Sequence, residues 1–357
     1  MRILTKYILI ELINNFIFGI ILFIIIFVSD KLFELIDLII VKGVPFYQVL
    51  LLLIYILPSF IAIVIPMAWL LSNLMTFGNI AQNNEVIPIK NAGKSILTLG
   101  KVSLIISLLL SFLLVLFNET ILPEGNWAFK KLYCEIISKR ASVVLQPHTF
   151  INEFEGYILY VEEKNDRTGK LENILVYSLE EHLHIITAKE GYILSEPYTY
   201  RTLLRLNNGC LYTTNEDFSN LTQINFNSYD VELDIGHVLK SKIIKEIREK
   251  RISEIVNELK KENKSYLLIE LHKRISIPFA CLSFALIGFP LAIFIKRGGR
   301  GIGFTVSLIL IFVYYLLFIF GETIAEKNYI PIFICMWLPN IVLTIIGICI
   351  LYTLLKR

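Results

Sequence analysis

Few residues in this chain have the types and spacing to do chemistry. Its histidines, His148, His182, His184, His237 and His272, are scattered. His182 and His184 are two apart, which on a strand puts both on one face. A metal pair there is one reading, and solvated histidines are the plainer one. No HExxH, GxSxG or GxxxxGK[ST] pattern occurs, so zinc hydrolysis, an elbow serine and P-loop nucleotide binding have no support. No CxxC or Cys/His ligand spacing occurs either, and no cofactor is expected. Cys134 and Cys210 could pair, although cysteines this far apart are more often free. Two charged stretches stand out. In Asn79–Gly93 (NIAQNNEVIPIKNAG) Glu85 is an isolated acid on an otherwise cationic side. A short amphipathic helix there would dock on a cytoplasmic partner, with Glu85 meeting a basic residue; an ordinary interfacial loop is the alternative. In Glu270–Pro278 (ELHKRISIP), Glu270, His272, Lys273 and Arg274 would either bind acidic headgroups or anchor a helix end.

The elements that hold these residues follow from composition. Hydrophobic residues make up 55% of the 357 and charged residues 18%, too apolar for two soluble domains and the opposite of disorder. The net charge of +3 gives nucleic-acid binding no footing. A helix needs about 20 apolar residues to cross a bilayer. Six segments qualify, roughly Tyr7–Val28, Phe46–Leu71, Ile96–Phe117, Ile275–Ile295, Gly303–Phe320 and Ile330–Leu355. The first run is too long for a cleaved signal peptide and no small-residue cleavage site follows it. Glu11, Asn14 and Asn15 near its start sit at the cytoplasmic interface or face a partner helix. No ionisable residue lies deep in an apolar block, as an ion-coupled transporter or intramembrane hydrolase requires.

Lysine and arginine in short loops set the orientation. Arg2, Lys6, Lys90, Lys94, Lys101, Lys296, Arg297, Arg300, Lys356 and Arg357 fall on one side. Only Lys31, Lys42 and Lys327 oppose them, beside Asp30, Glu34, Asp37, Glu322 and Glu326. Both termini are therefore expected in the cytoplasm, and the polar stretch between spans 3 and 4 outside, in the periplasm of a Gram-negative cell. That stretch, about 121–271, changes period. Gly156–Lys164 alternates around Tyr157, Leu159 and Val161, the pattern of a half-buried strand. Asn165–Gly169 reads as a turn and Asn207-Asn208-Gly209 as a hairpin turn. Ile174–Leu179, Leu183–Thr187, Thr202–Leu206, Cys210–Thr214 and Gln223–Leu233 have strand composition at the spacing of a sandwich or barrel. Trp127–Ser138 leads in as a helix, and the chain becomes helical again after Gly236. One face of the sheet would line a groove open to lipid chains, or else close as a core without ligand.

Read in order, these stretches resemble the lipopolysaccharide export permeases, the LptF/LptG (YjgP/YjgQ) family. The likeness runs through KYILIEL, PMAWLLSNLMTFGNIAQNNEVIPIKNAG, NETILPEGN, ELHKRISIPFACLSFALIGFPLAI, RGGRGIGF, Tyr314-Tyr315 and WLPN at Trp337–Asn340. The ELHKRISIP and WLPN stretches lean toward LptF. The resemblance implies an α-helical membrane protein of six spans with an inserted periplasmic antiparallel β-jellyroll. It divides the chain into spans 1–3 over 1–120, the β domain over 121–271 and spans 4–6 over 272–357. It implies a second permease beside this one, a dimeric cytoplasmic ABC ATPase (LptB-like) beneath both, and an LptC-like periplasmic jellyroll that receives lipopolysaccharide. In it, about 79–93 becomes the coupling helix and Glu85 the acid that contacts the ATPase. Pro88 departs from the pattern, because proline inside a helix removes a donor and clashes with the preceding turn. Lys31 and Lys42 take the place of phosphate-binding cations, with a snorkelling anchor the alternative for Lys31. Lys273 and Arg274 form a second candidate pair, and the apolar face of Tyr157, Leu159 and Val161 would receive acyl chains. The chain itself would make or break no bond. A membrane scaffold whose β domain only recruits envelope proteins is the competing expectation.

Overall fold

A computed structural model of the chain describes residues 2–40, 43–139, 148, 150–154, 157–165, 170–178, 184–195, 202–214, 221–233, 245–261, 264–295, 299–327 and 329–356. Lys42, His182, His237, the turn residues 166–169 and the loop cations Lys296 and Arg297 lie outside them. The chain falls into two compact units. One comprises Met1–Glu34, Leu53–Trp127 and Ile247–Arg357; the other comprises Leu35–Leu52 and Ala128–Glu246.

All six apolar runs are helices long and apolar enough to span a membrane. In chain order the helices are α1 (Arg2–Ile40), α2 (Phe46–Gln82), α3 (Val86–Asn91), α4 (Ile96–Lys139), α5 (Ile252–Leu259), α6 (Ser265–Ile295), α7 (Gly299–Glu326) and α8 (Ile332–Lys356). Most of the spanning helices outrun their apolar segments. The 39 residues of α1 would measure about 58 Å at ~1.5 Å per residue, against a hydrocarbon core of about 30 Å. Apolar counting finds only the stretch that lipid would surround, whereas the backbone ladder, once started, continues into polar surroundings. Prolines such as Pro58 and Pro66 in α2 and Pro278 and Pro290 in α6 sit inside these helices, as membrane helices tolerate when neighbours re-satisfy the freed carbonyls.

Burial ranks the helices. The apolar window of α6 is 67% buried and that of α1 only 17%, so α6 is central and α1 peripheral. The core is built on Trp69, Leu70, Leu71 and Leu74 of α2, Phe284 and Ile287 of α6, Tyr314 of α7 and Leu343 of α8. Aromatic edges meet faces at Phe77–Phe289 and Phe284–Tyr314, both 4.9 Å between centroids. In lipid there is little hydrophobic force between helices, so small residues and polar pairs hold them. Asn15 Nδ2 donates to Thr76 Oγ1 at 2.8 Å, Ser72 Oγ to the Leu12 carbonyl at 2.6 Å, and Asn340 Nδ2 to the Ser276 carbonyl at 2.8 Å. The polar residues near the start of α1 thus face α2. Gly347 brings α8 against α6: a carbon added there would stand 2.5 Å from the Leu286 carbonyl oxygen. Gly347→Leu is therefore expected to cost about 1–3 kcal/mol, seen as a lower thermal midpoint in detergent; an unchanged midpoint would refute this close approach.

The second unit carries a six-stranded antiparallel sheet in the order β1-β2-β3-β4-β5-β6. The strands are β1 (Phe150–Phe154), β2 (Tyr157–Lys164), β3 (Lys170–Ser178), β4 (His184–Ser195), β5 (Thr202–Thr214) and β6 (Leu221–Leu233). Sequence neighbours are sheet neighbours throughout, so the described strands form a meander rather than the crossed-over order of a jellyroll proper. Arg205 and Asp230 face each other across β5 and β6, and two bonds of 2.8 Å from the guanidinium hold the Asp230 carboxyl below its ordinary range.

Asn207-Asn208-Gly209 is not a hairpin turn. β5 runs straight through it, pairing Asn207 with Glu190 and Gly209 with Ala188. Asn208 has φ 55° and Asn173 on β3 has φ 51°. Pairing resumes on both sides of the row through Asn173 and Asn208 with the register unchanged. Leu171 and Ile174 are both buried although three apart, as are Ala188 and Gly191. Strict alternation forbids that, so each strand flips its side chains once along a common crease, which keeps the apolar face continuous. Asparagine is the side chain that best tolerates a left-handed backbone, and at Gly209 an added carbon would strike the Thr187 carbonyl and the Phe226 ring. The crease thus demands the same residues as a hairpin turn, which is why sequence alone confuses them.

Candidate functional site

The loop after span 2 is built in three steps. α2 ends at Gln82, a turn covers 83–85, and α3 begins only at Val86 with Glu85 as its N-cap. Pro88 is the third helical residue, where no intrahelical partner exists for its missing N–H. The proline is therefore accommodated by a late start, not by a kink. Gly93, at φ 74°, closes α3: its N–H donates to the Lys90 carbonyl at 2.9 Å and the Lys94 N–H to the Ile89 carbonyl at 3.2 Å. That pair of bonds is the Schellman closure. No residue of α3 is buried, and Ile87 is 58% exposed. Glu85 is half-buried; its Oε1 accepts from Asn83 Nδ2 at 3.1 Å and from the Tyr7 hydroxyl at 3.4 Å.

The four candidate cations have different surroundings. Lys31 is half-buried and pairs with the exposed Glu34 one turn along α1. Lys42 lies outside the described residues. Lys273 is half-buried, bonds Glu322 of α7 at 2.8 Å and lies 5.6 Å from the centre of the Phe318 ring. Arg274 is only 3% exposed. Its Nε donates to Glu270 at 2.9 Å, its Nη2 to the Ile247 carbonyl at 2.6 Å, and its Nη1 to the Lys250 carbonyl. Each guanidinium nitrogen is committed to protein, so the geometry makes Arg274 a clamp on the 247–250 turn. The neighbouring α5 is anchored similarly: Glu119 of α4 accepts the Ile252 N–H at 2.6 Å, and Glu124 pairs with Arg251. A carboxylate at a helix N-terminus satisfies donors that the helix cannot.

On the sheet, Leu159 and Val161 are fully buried and Tyr157 half-buried. They share a cluster with Val176, Ile186, Leu204, Leu206 and Cys134. Cys134 belongs to the last turns of α4, so that helix covers the apolar face in this structure. Cys134 and Cys210 form no disulfide with each other, and Cys210 Sγ instead contacts Asn225 Oδ1 at 3.0 Å.

Sequence reasoning missed a polar cluster between α1 and α2. Glu11 Oε1 accepts from Asn79 Nδ2 at 3.1 Å, beside Tyr7, Asn14, Gln82 and Asn83. A signal was there: residues 7, 11 and 14 share one helical face, as do 79, 82 and 83.

Six helices able to span a membrane, tied by polar pairs, with an inserted antiparallel β domain and an exposed short helix between two spans, define a multi-pass membrane protein. The chain belongs to the lipopolysaccharide export system permease LptF/LptG family, whose model matches residues 6–353. That model covers both permease types and favours neither. Among curated proteins no relative matches. Family membership makes the chain a permease of lipopolysaccharide export at the inner membrane, a transport component rather than an enzyme, working within a system of partner proteins.

Proposed function

We propose that this permease is one half of an ATP-driven exporter that lifts lipopolysaccharide out of the inner membrane and passes it to a periplasmic bridge. A second permease completes the membrane cavity, a dimeric ABC ATPase drives it from the cytoplasm, and an LptC-like jellyroll receives the lipid. Both termini and α3 are cytoplasmic and the β domain periplasmic, as the loop lysines require. The observation that carries the reading is α3. A six-residue helix that buries none of its own residues, closed at its C-terminus by Gly93 and presenting Ile87 beside Glu85, is shaped to enter another protein. ATP binding by the separate ATPase would move α3, and the attached α2 and α4 would close the cavity. Lys31 and Lys42 meet the phosphates. The Lys31–Glu34 pair is exposed and weak, in the range of about 0–1 kcal/mol, so a phosphate displaces Glu34 easily.

The test is Glu85→Ala in the assembled exporter. Transport of lipopolysaccharide is expected to fall about tenfold, the equivalent of ~1.4 kcal/mol of lost coupling, while ATP hydrolysis continues. Undiminished transport would remove Glu85 from the mechanism. Purification of the chain without any ATPase, under conditions that keep membrane complexes intact, would favour the scaffold instead.

A further inference from the structure

We propose that the cavity between α1 and α2 is a second docking socket for the ATPase subunit, and that it takes a basic side chain with Glu11 as counter-ion. The inference rests on the exporter reading, which supplies the partner. The cavity has a volume of about 730 Å³ and is lined by Tyr7, Glu11, Asn14, Asn79, Gln82 and Asn83 together with one isoleucine. Every polar group in that set offers an oxygen acceptor, and none is a cation. Glu11 uses one oxygen, bonded by Asn79; the other, Oε2, is shielded from solvent and receives no bond of full hydrogen-bond geometry, the nearby Tyr7 hydroxyl being turned to Glu85. A buried carboxylate oxygen left without a donor is costly, and the cost is relieved when a donor arrives.

Three observations point to a protein cation rather than an inorganic one. First, the volume lies in the range of sites that hold organic groups, about 300–1,000 Å³, far more than a metal ion fills. Second, among the described residues no group of three or more metal-ligating side chains is present. Third, the socket is physically joined to α3: the Tyr7 hydroxyl, on the socket's lip, donates to Glu85 at 3.4 Å. Two carboxylates, Glu11 and Glu85, thus sit in reach of the same approaching surface. The neighbouring sequence carries Lys6 on α1, Lys90 on α3 and Lys94 just beyond α3, so the socket is a local reversal of sign, the arrangement that fixes register in a charged interface. A guanidinium suits it best, because its planar fork serves a carboxylate and neighbouring carboxamide oxygens together. Loading the socket would press on α1 as well as α3, giving the ATPase two points of purchase on the membrane helices.

The experiment measures binding of the purified ATPase subunit to the full-length permease complex in lipid nanodiscs, as a function of salt. Glu11→Gln keeps the shape and the bond from Asn79 but removes the charge. It is expected to weaken ATPase binding about tenfold and to flatten its salt dependence, with the thermal midpoint of the permease unchanged. Gln82→Glu, which adds a charge at the lip, is expected to tighten binding about threefold at low salt; a merely structural role for Glu11 predicts no such gain. Equal binding by wild type, Glu11→Gln and Gln82→Glu overturns the socket while the exporter reading stands. Failure of the wild-type complex to bind any ATPase overturns the exporter reading itself.

Discussion

Replacing Arg274 by methionine is expected to destabilise the helical unit by about 3–5 kcal/mol, the usual cost of removing one partner from a buried ion pair. The guanidinium is 3% exposed and Glu270, its counter-ion, is 20% exposed. Methionine approximates the length of the stem but offers no donor. The partly buried carbonyls of Ile247 and Lys250 and the carboxylate of Glu270 then lose their charged donors. The damage should be local first. The 247–250 turn and α5, which the clamp and Glu119 hold, become open to proteolysis before the spans unfold. Arg274→Lys should restore part of the loss, because one ammonium can serve Glu270 or a carbonyl but cannot span all three. The measurement is the thermal midpoint in detergent alongside limited proteolysis of 245–261. If Arg274→Met left both unchanged and weakened only the binding of phosphorylated lipid, the residue would be a headgroup ligand and not a clamp.

Leu159→Ala is expected to destabilise the β domain by about 2–5 kcal/mol, the range for deleting a fully buried leucine side chain. Leu159 has no exposed surface, and its neighbours Val176, Ile186, Leu204 and Leu206 are each at most 4% exposed. Among the described residues, protein already covers this part of the face, with Cys134 of α4 included. Two units of one chain need not unfold together, so the loss is best followed by hydrogen exchange of 157–233 alone. The same position discriminates between the two fates of the face. A photoreactive side chain at 159 should capture no lipid in the resting permease. If the sheet carries acyl chains during export, capture should arise only once the ATPase turns over and the end of α4 withdraws. Capture at rest would show that the face is open without any such movement, and would contradict the closed core.

These two residues show where sequence was informative and where it stopped. Arg274 is the last of three consecutive polar or charged residues after Leu271, and a local reading treats it like Lys273. What separates them is the direction each side chain takes from α6 and what the returning chain places there: carbonyls from 247 and 250 around one, the Glu322 carboxylate beside the other. Those partners are 24, 27 and 49 positions away, beyond any periodicity. Leu159 was legible as an inward residue because a strand alternates, but alternation says nothing of what it meets. The Asn207-Asn208-Gly209 crease misled for a related reason: a left-handed backbone has the same residue preference in a turn as in a flipped strand, and only pairing with β4 and β6 distinguishes them.

By itself the sequence determined the six spans, the inserted β domain and the family. Each rests on a property carried along the chain: apolar length against bilayer thickness, a period of two, and the order of motifs. Only the tertiary structure decided which cation sits in a surface pair and which is a clamp, that α4 covers the apolar sheet, that Pro88 falls in the first turn of α3, and that Glu11 lines a polar cavity. Those facts depend on partners brought together by folding, and a side chain's role is set by the groups that satisfy it.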